Sequence, residues 1–182
     1  MGIQLMKKRC LFFVGIMLLV STMCYSQTKV VSNHSFSLAL LETEYSYEQA
    51  LGGNFSLIGR IGLVPGNEQT LVIDYQTFTY HFTVMPGITV EPRYYTSLGR
   101  REKLGRTTEN NASDFVSIAG IVMGPDLGLD GTVYVTFVPQ YGIRRTWGKH
   151  WYCEGSAGVA LGERNKAFFY RPHLQFRVGF ML

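Results

Sequence analysis

The chain ends on His173-Leu174-Gln175-Phe176-Arg177-Val178-Gly179-Phe180-Met181-Leu182, and this stretch decides the fold. Leu174, Phe176, Val178, Phe180 and Leu182 fall on one face of an extended chain. His173, Gln175, Arg177, Gly179 and Met181 fall on the other. Successive side chains of a strand point to opposite faces, so a strict period of two marks a strand. The same period recurs upstream. Residues 131–145 set Val133, Val135, Phe137, Tyr141 and Ile143 against Thr132, Tyr134, Thr136, Gln140 and Arg144. Residues 77–95 set Phe78, Tyr80, Phe82, Val84, Ile88, Val90 and Tyr94 against Thr77, Thr79, His81, Thr83, Thr89, Glu91, Arg93 and Tyr95. Residues 55–63 set Phe55, Leu57, Ile61 and Leu63 against Ser56 and Arg60, with Ile58 breaking the second face. No stretch after Gln27 holds a 3.6-residue apolar period over three turns. Composition agrees: 20 Gly, 11 Tyr and 14% aromatic residues lean to β structure, and only 16% charged residues excludes a disordered or acidic-tail chain.

The N-terminus has a different character. Lys7, Lys8 and Arg9 precede an uncharged run from Cys10 to Val20, and Cys24 and Ser26 stand three and one residues before Gln27. A basic start, a short apolar core and small residues at the junction predict a signal peptide over 1–26 and a single domain over 27–182. The core is shorter than the about 20 apolar residues a spanning helix needs. Cleavage removes three cations and takes the formal net charge from +4 to +1. The basic balance therefore gives no reason to expect nucleic-acid binding. Cys153 is the sole cysteine left, which excludes an intrachain disulfide.

Alternation has two physical readings. In a soluble sheet the apolar face is the core. In an outer-membrane barrel it meets lipid and the polar face fills the lumen. Strands longer than the usual five or six residues, aromatic-rich apolar faces and export together favour the second. Turn signals at Gly52-Gly53-Asn54, Pro65-Gly66-Asn67, Gly124-Pro125-Asp126, Gly148-Lys149-His150 and Gly162-Glu163-Arg164-Asn165 divide the chain, with a long polar connector over 99–113. The apolar parity changes from Phe36, Leu38 and Leu40 to Leu41, Tyr45, Tyr47 and Leu51. A one-residue slip flips every side chain, so a short turn or bulge is placed near 40–42. Eight strands follow, at 34–40, 43–51, 54–64, 75–98, 114–123, 131–145, 150–161 and 168–182. The expected fold is all-β, an eight-stranded antiparallel transmembrane β-barrel with both termini on the periplasmic side.

Val90-Glu91-Pro92-Arg93-Tyr94-Tyr95 with the basic connector and Asn110-Asn111, Gly142-Ile143-Arg144-Arg145 with Gly148-Lys149-His150 and Glu154, and the closing Val178-Gly179-Phe180-Met181-Leu182 resemble small bacterial outer-membrane β-barrel proteins of the eight-stranded, OmpA/OmpX-like class. The likeness covers roughly residues 43–182. It implies the architecture, an outer-membrane location, and contact with outer-membrane lipid and the barrel-assembly machinery. It implies no activity, because most members of this class have no assigned function.

Parity sends Glu44, Glu48, Glu91 and Glu154 inward with Arg60, Arg93, Arg144 and Arg177. An eight-stranded barrel is just wide enough for side chains to fill, and confined charges need partners. A balanced Arg/Glu network that seals the lumen is favoured over an ion path or ligand site. Tyr94, Trp147, Trp151, Tyr152 and Phe180 near one end, and Tyr75, Phe78, Phe168, Phe169 and Tyr170 near the other, are expected to form interfacial aromatic girdles. Catalytic signals are thin. Among four His, only His81 has a hydroxyl two residues on, at Thr83, and no zinc spacing or phosphate-binding glycine pattern occurs. No catalytic residue, metal or cofactor is expected. The function expected is a structural or surface-interaction barrel, with an unknown surface partner. The alternatives are a lipid-modifying outer-membrane enzyme and a soluble, secreted, lipocalin-like barrel with its apolar faces inside.

Overall fold

The computed structural model describes residues 29–39, 42–65, 70–74, 77–81, 84–124, 133–164 and 167–182. The expected signal peptide lies outside them. The described residues form ten strands: β1 Asn33–Ala39, β2 Glu42–Gly52, β3 Phe55–Pro65, β4 Thr70–Asp74, β5 Thr77–His81, β6 Val84–Tyr95, β7 Asp114–Met123, β8 Tyr134–Trp147, β9 Trp151–Arg164 and β10 Ala167–Met181. Eight of them close antiparallel in the order β1-β10-β9-β8-β7-β6-β3-β2, while β4 pairs only with β5. Closure comes from β1 against β10, with Ser35 opposite Met181 and Ala39 opposite Arg177. Closure pairs both sides of every barrel strand near the terminal rim, while the part of β10 before Arg177 extends past β1 and pairs only with β9. The start of β1 and the end of β10 stand at one rim, here the terminal rim, with the turn between β2 and β3 and the turn between β8 and β9.

The parity change near 40–42 separates two strands, for Ala39 pairs with Glu42 across residues 40–41. The long strand expected over 75–98 is three things. Residues 77–81 form β5 and belong to the small hairpin, residues 84–95 form β6 in the barrel wall, and Leu98 opens a helix, α1 Leu98–Lys103. In the sequence the apolar face stays on even positions from Phe78 through Tyr94, so a period of two reads straight through the junction. Periodicity reports an extended chain and not the neighbour it pairs with. The 99–113 connector accordingly holds α1 and a 3-10 turn over Glu109–Asn111. The loop signal at Gly162-Glu163-Arg164-Asn165 begins inside the strand, because β9 runs through Arg164, which pairs with Ala167. Gly53 at φ 57° makes the β2–β3 turn, a conformation other residues adopt only at a steric cost.

Ile61, Ile88, Ile118, Phe137, Leu174 and Phe176 are more than half exposed on the outer wall. Glu91, Arg93, Arg60, Arg144, Glu154 and Arg177 are buried in the interior. The barrel is thus apolar outside and charged inside. Lipocalin-like packing, with the alternating apolar faces inward, is not what this chain forms. Ile58 departs from its outward apolar neighbours and is buried, which explains the break in the β3 pattern.

Candidate functional site: the charged interior

All eight charged residues assigned inward by parity lie in the lumen, and the barrel register sets them in rows. Glu154 on β9 stands directly opposite Arg144 on β8 and Arg177 on β10. On β6, Glu91, Arg93 and Tyr95 share one face at two-residue spacing, and β3 brings Arg60 beside them. Directly opposed and diagonal positions on neighbouring strands are the ones whose side chains meet.

Glu154 is the hub. Arg93 donates to it twice, Nη1 to Oε2 at 2.7 Å and Nη2 to Oε1 at 3.0 Å, in the planar fork geometry that suits guanidinium and carboxylate. Arg144 Nε donates to the same carboxylate at 2.9 Å. Arg93 also donates to Glu91 Oε1 from Nε at 2.9 Å and from Nη2 at 2.7 Å, and Arg60 ion-pairs with the other Glu91 oxygen. Arg144 Nη1 reaches Glu48 at 2.6 Å, and the Tyr95 hydroxyl donates to Glu48 at 2.7 Å. The Arg93 guanidinium lies 3.5 Å from the centre of the Phe115 ring. Phe115 has room because β8 carries Gly142 beside it, where a Cβ would collide with the ring.

Contacts loosen away from the terminal rim. Glu44 stands 3.6 Å from Arg177 and 4.0 Å from Arg60, and the second Glu154 oxygen stands 3.5 Å from Arg177 and 3.8 Å from Arg60. Most of these are ion-pair separations too long for hydrogen bonds. Gln175 donates to Glu42 at 2.6 Å and accepts from Arg177.

Below the network, Val30, Tyr95, Leu98 and Phe115 form an apolar cluster that fills the barrel at the terminal rim. The segment carrying Val30 is held by Asn111, whose Oδ1 accepts from the Val31 amide at 2.8 Å and whose Nδ2 donates to the Val31 carbonyl at 2.8 Å. Asn111 is fully buried at φ 62°, a left-handed conformation that Asn tolerates better than most side chains.

The aromatic residues divide. Tyr94, Trp147, Trp151 and Phe180 point outward near the terminal rim, with Trp147 stacked on Trp151 and Trp151 edge-on to Phe180. Tyr152 does not join them. It is buried in the lumen, its ring 5.3 Å from Arg144 and its hydroxyl 3.2 Å from Ser35. Tyr152 precedes Glu154 by two residues, so the parity that sends Glu154 inward sends Tyr152 inward too. At the far end Phe168 and Tyr170 are exposed, whereas Tyr75 and the Phe78, His81 and Thr83 side chains fall outside what is described. Sequence reasoning gave Asn111 no role beyond the resemblance it helps to carry, and it missed Phe115, which left a weaker signal. β7 carries Phe115, Ala119, Ile121 and Met123 on its inward face, so its two faces are both apolar and show no clean alternation. Among the described residues no three His, Cys, Asp or Glu side chains converge as a metal site.

Fold and interior together define the class: a closed, eight-stranded antiparallel β-barrel with an ion-pair network where a water-soluble barrel has an apolar core. The chain matches no protein-family model, no curated protein and no solved structure.

Proposed function

We propose that the chain is an outer-membrane barrel of the small OmpA/OmpX-like kind, exported through a signal over residues 1–26, with a structural or surface-interaction role and no catalytic activity. The observation that carries this reading is the inversion of polarity. A belt of Ile, Val, Leu and Phe around a whole barrel far exceeds the few hundred Å² of contiguous apolar surface that water-soluble monomers expose. A hydrocarbon surround removes that conflict, and closure pairs the strand backbones of the wall with one another rather than with water. Tyr94, Trp147, Trp151 and Phe180 then take the place of the interfacial girdle at the periplasmic side. Four Arg against four Glu, with the apolar cluster beneath, suit a sealed lumen rather than a conducting one. The termini on the periplasmic side put the β4–β5 hairpin at the cell surface, where a partner would meet it. Membrane lipid and the barrel-assembly machinery are the expected contacts.

The test is fractionation followed by electrophoresis with and without boiling. The expected result is extraction only by detergent and a shifted band in the unboiled sample, since a closed barrel resists detergent unfolding. Recovery wholly in the soluble periplasmic fraction overturns the proposal.

A further inference from the structure

Between the network and the rim opposite the termini, the interior opens into a cavity of about 430 Å³. That size is within the range of small-molecule sites. Its two sides differ in chemistry. Ala119 and Ile121 of β7, Val138 of β8 and Ala160 of β9 make an apolar wall. Glu42 and Glu44 of β2, Arg60 of β3 and His173, Gln175 and Arg177 of β10 contribute the polar side. The small residues Ala119 and Ala160 stand where larger side chains would fill the lumen as Phe115 and Tyr152 fill it below.

A second observation is independent of shape. Glu44 Oε2, Thr136 Oγ1, Gln140 Oε1 and Arg177 Nε are buried atoms with no hydrogen-bond partner among the described residues, and all four residues line this cavity. Glu44, Thr136 and Arg177 are each more than nine-tenths buried. An unsatisfied buried polar atom is costly, and native structures hold few of them, so a cluster around one cavity calls for a ligand group that satisfies it. The network beneath is satisfied through short bonds, and the looseness begins where the cavity begins.

We infer that this cup binds a single-chain amphiphile with an uncharged head bearing hydroxyl or amide groups. The tail lies along the apolar wall. The head must offer both an acceptor, for Arg177 Nε–H, and donors, for Gln140 Oε1 and Glu44 Oε2, with the Thr136 hydroxyl able to serve as either. A charged head is disfavoured because the interior charges already balance, with Glu42 beside Glu44, Glu48, Glu91 and Glu154 and Arg171 beside Arg60, Arg93, Arg144 and Arg177, so an added buried charge would have no partner. Monoacylglycerols, fatty amides and alkyl glycosides share this chemistry. The cup is read from the barrel interior alone, and only its test rests on the membrane reading above: failure to enter a nanodisc overturns that reading, whereas failure to bind in the nanodisc overturns the cup.

The test is methyl NMR of the full barrel in phosphatidylcholine nanodiscs, titrated with 1-lauroylglycerol. Ile121 faces the cup, whereas Ile118 and Ile88 face outward and report amphiphile that merely enters the bilayer. The expected result is a saturable shift at Ile121 alone, with laurate and dodecyltrimethylammonium about tenfold weaker and free glycerol without effect. Octyl glucoside and lauramide in parallel titrations rank the three head chemistries. Ala160→Phe fills the cup and is expected to abolish the shift. Because that variant risks misfolding, Thr136→Val is the second arm. It removes an unpartnered hydroxyl at constant shape, so the barrel should unfold no more readily while affinity falls about fivefold. An Ile121 response that follows Ile118, equal binding of laurate, or an unchanged affinity in Thr136→Val overturns the inference.

Discussion

Replacing Glu154 by Gln keeps the shape of the hub and removes its charge. Three tight hydrogen bonds from Arg93 and Arg144 converge on this carboxylate, and Arg177 and Arg60 stand within 4 Å of it. Without the charge the buried network holds four Arg against three Glu, all nearly or fully buried. Leaving a buried charge uncompensated costs about 3–5 kcal/mol, against about 0–1 kcal/mol for an exposed pair. The chain supplies its own control. Arg145 and Asp114 pair at 2.6 Å with side chains 38% and 25% exposed. Urea unfolding of the bilayer-reconstituted barrel, read by the heat-modified band, measures both. With a slope of about 1–3 kcal/mol per molar, Glu154→Gln is expected to lower the midpoint by about 1–5 M, and Asp114→Asn by at most about 1 M. Adding Arg93→Met restores three against three. The double variant should therefore be clearly less destabilised than the two single losses added together, because the pair acts as a unit. A Glu154→Gln barrel no weaker than Asp114→Asn refutes the reasoning, and the interior is then hydrated enough to screen its charges.

Three further outcomes are expected. Val90 is outward and half exposed whereas Thr89 is inward and buried, so Val90→Arg should impair assembly more than Thr89→Arg, by about 2–4 kcal/mol for a charge near mid-membrane; the comparison is the heat-modified fraction at equal expression. In a planar bilayer the purified protein should show no large, stable pore, and a steady porin-like current would refute the sealed lumen. Asn111→Ala loses both bonds to Val31 and a residue suited to positive φ, so the segment over the terminal rim should loosen; faster tryptic cleavage after Lys29 at unchanged barrel content checks it.

Alternation alone determined that the chain is extended nearly throughout, which faces are apolar, and which eight charged side chains share the interior. Those properties follow from a backbone whose side chains point alternately to either face, and they need no knowledge of neighbours. The two-strand reading of 34–51 came from the same rule, as a break in parity. Pairing was decided only in three dimensions. Thr77–His81 and Val84–Tyr95 carry one continuous pattern yet belong to different sheets. The split of the interior into a tight network and an amphipathic cup was equally invisible. It depends on strand register, which sets Glu154 between Arg144 and Arg177, and on Ala119, Val138 and Ala160 meeting from three strands. Tyr152 marks the boundary between the two kinds of knowledge. Its parity was legible from Glu154, while its place beside Arg144 and Ser35 required the closed wall that brings β1, β8 and β9 around one lumen.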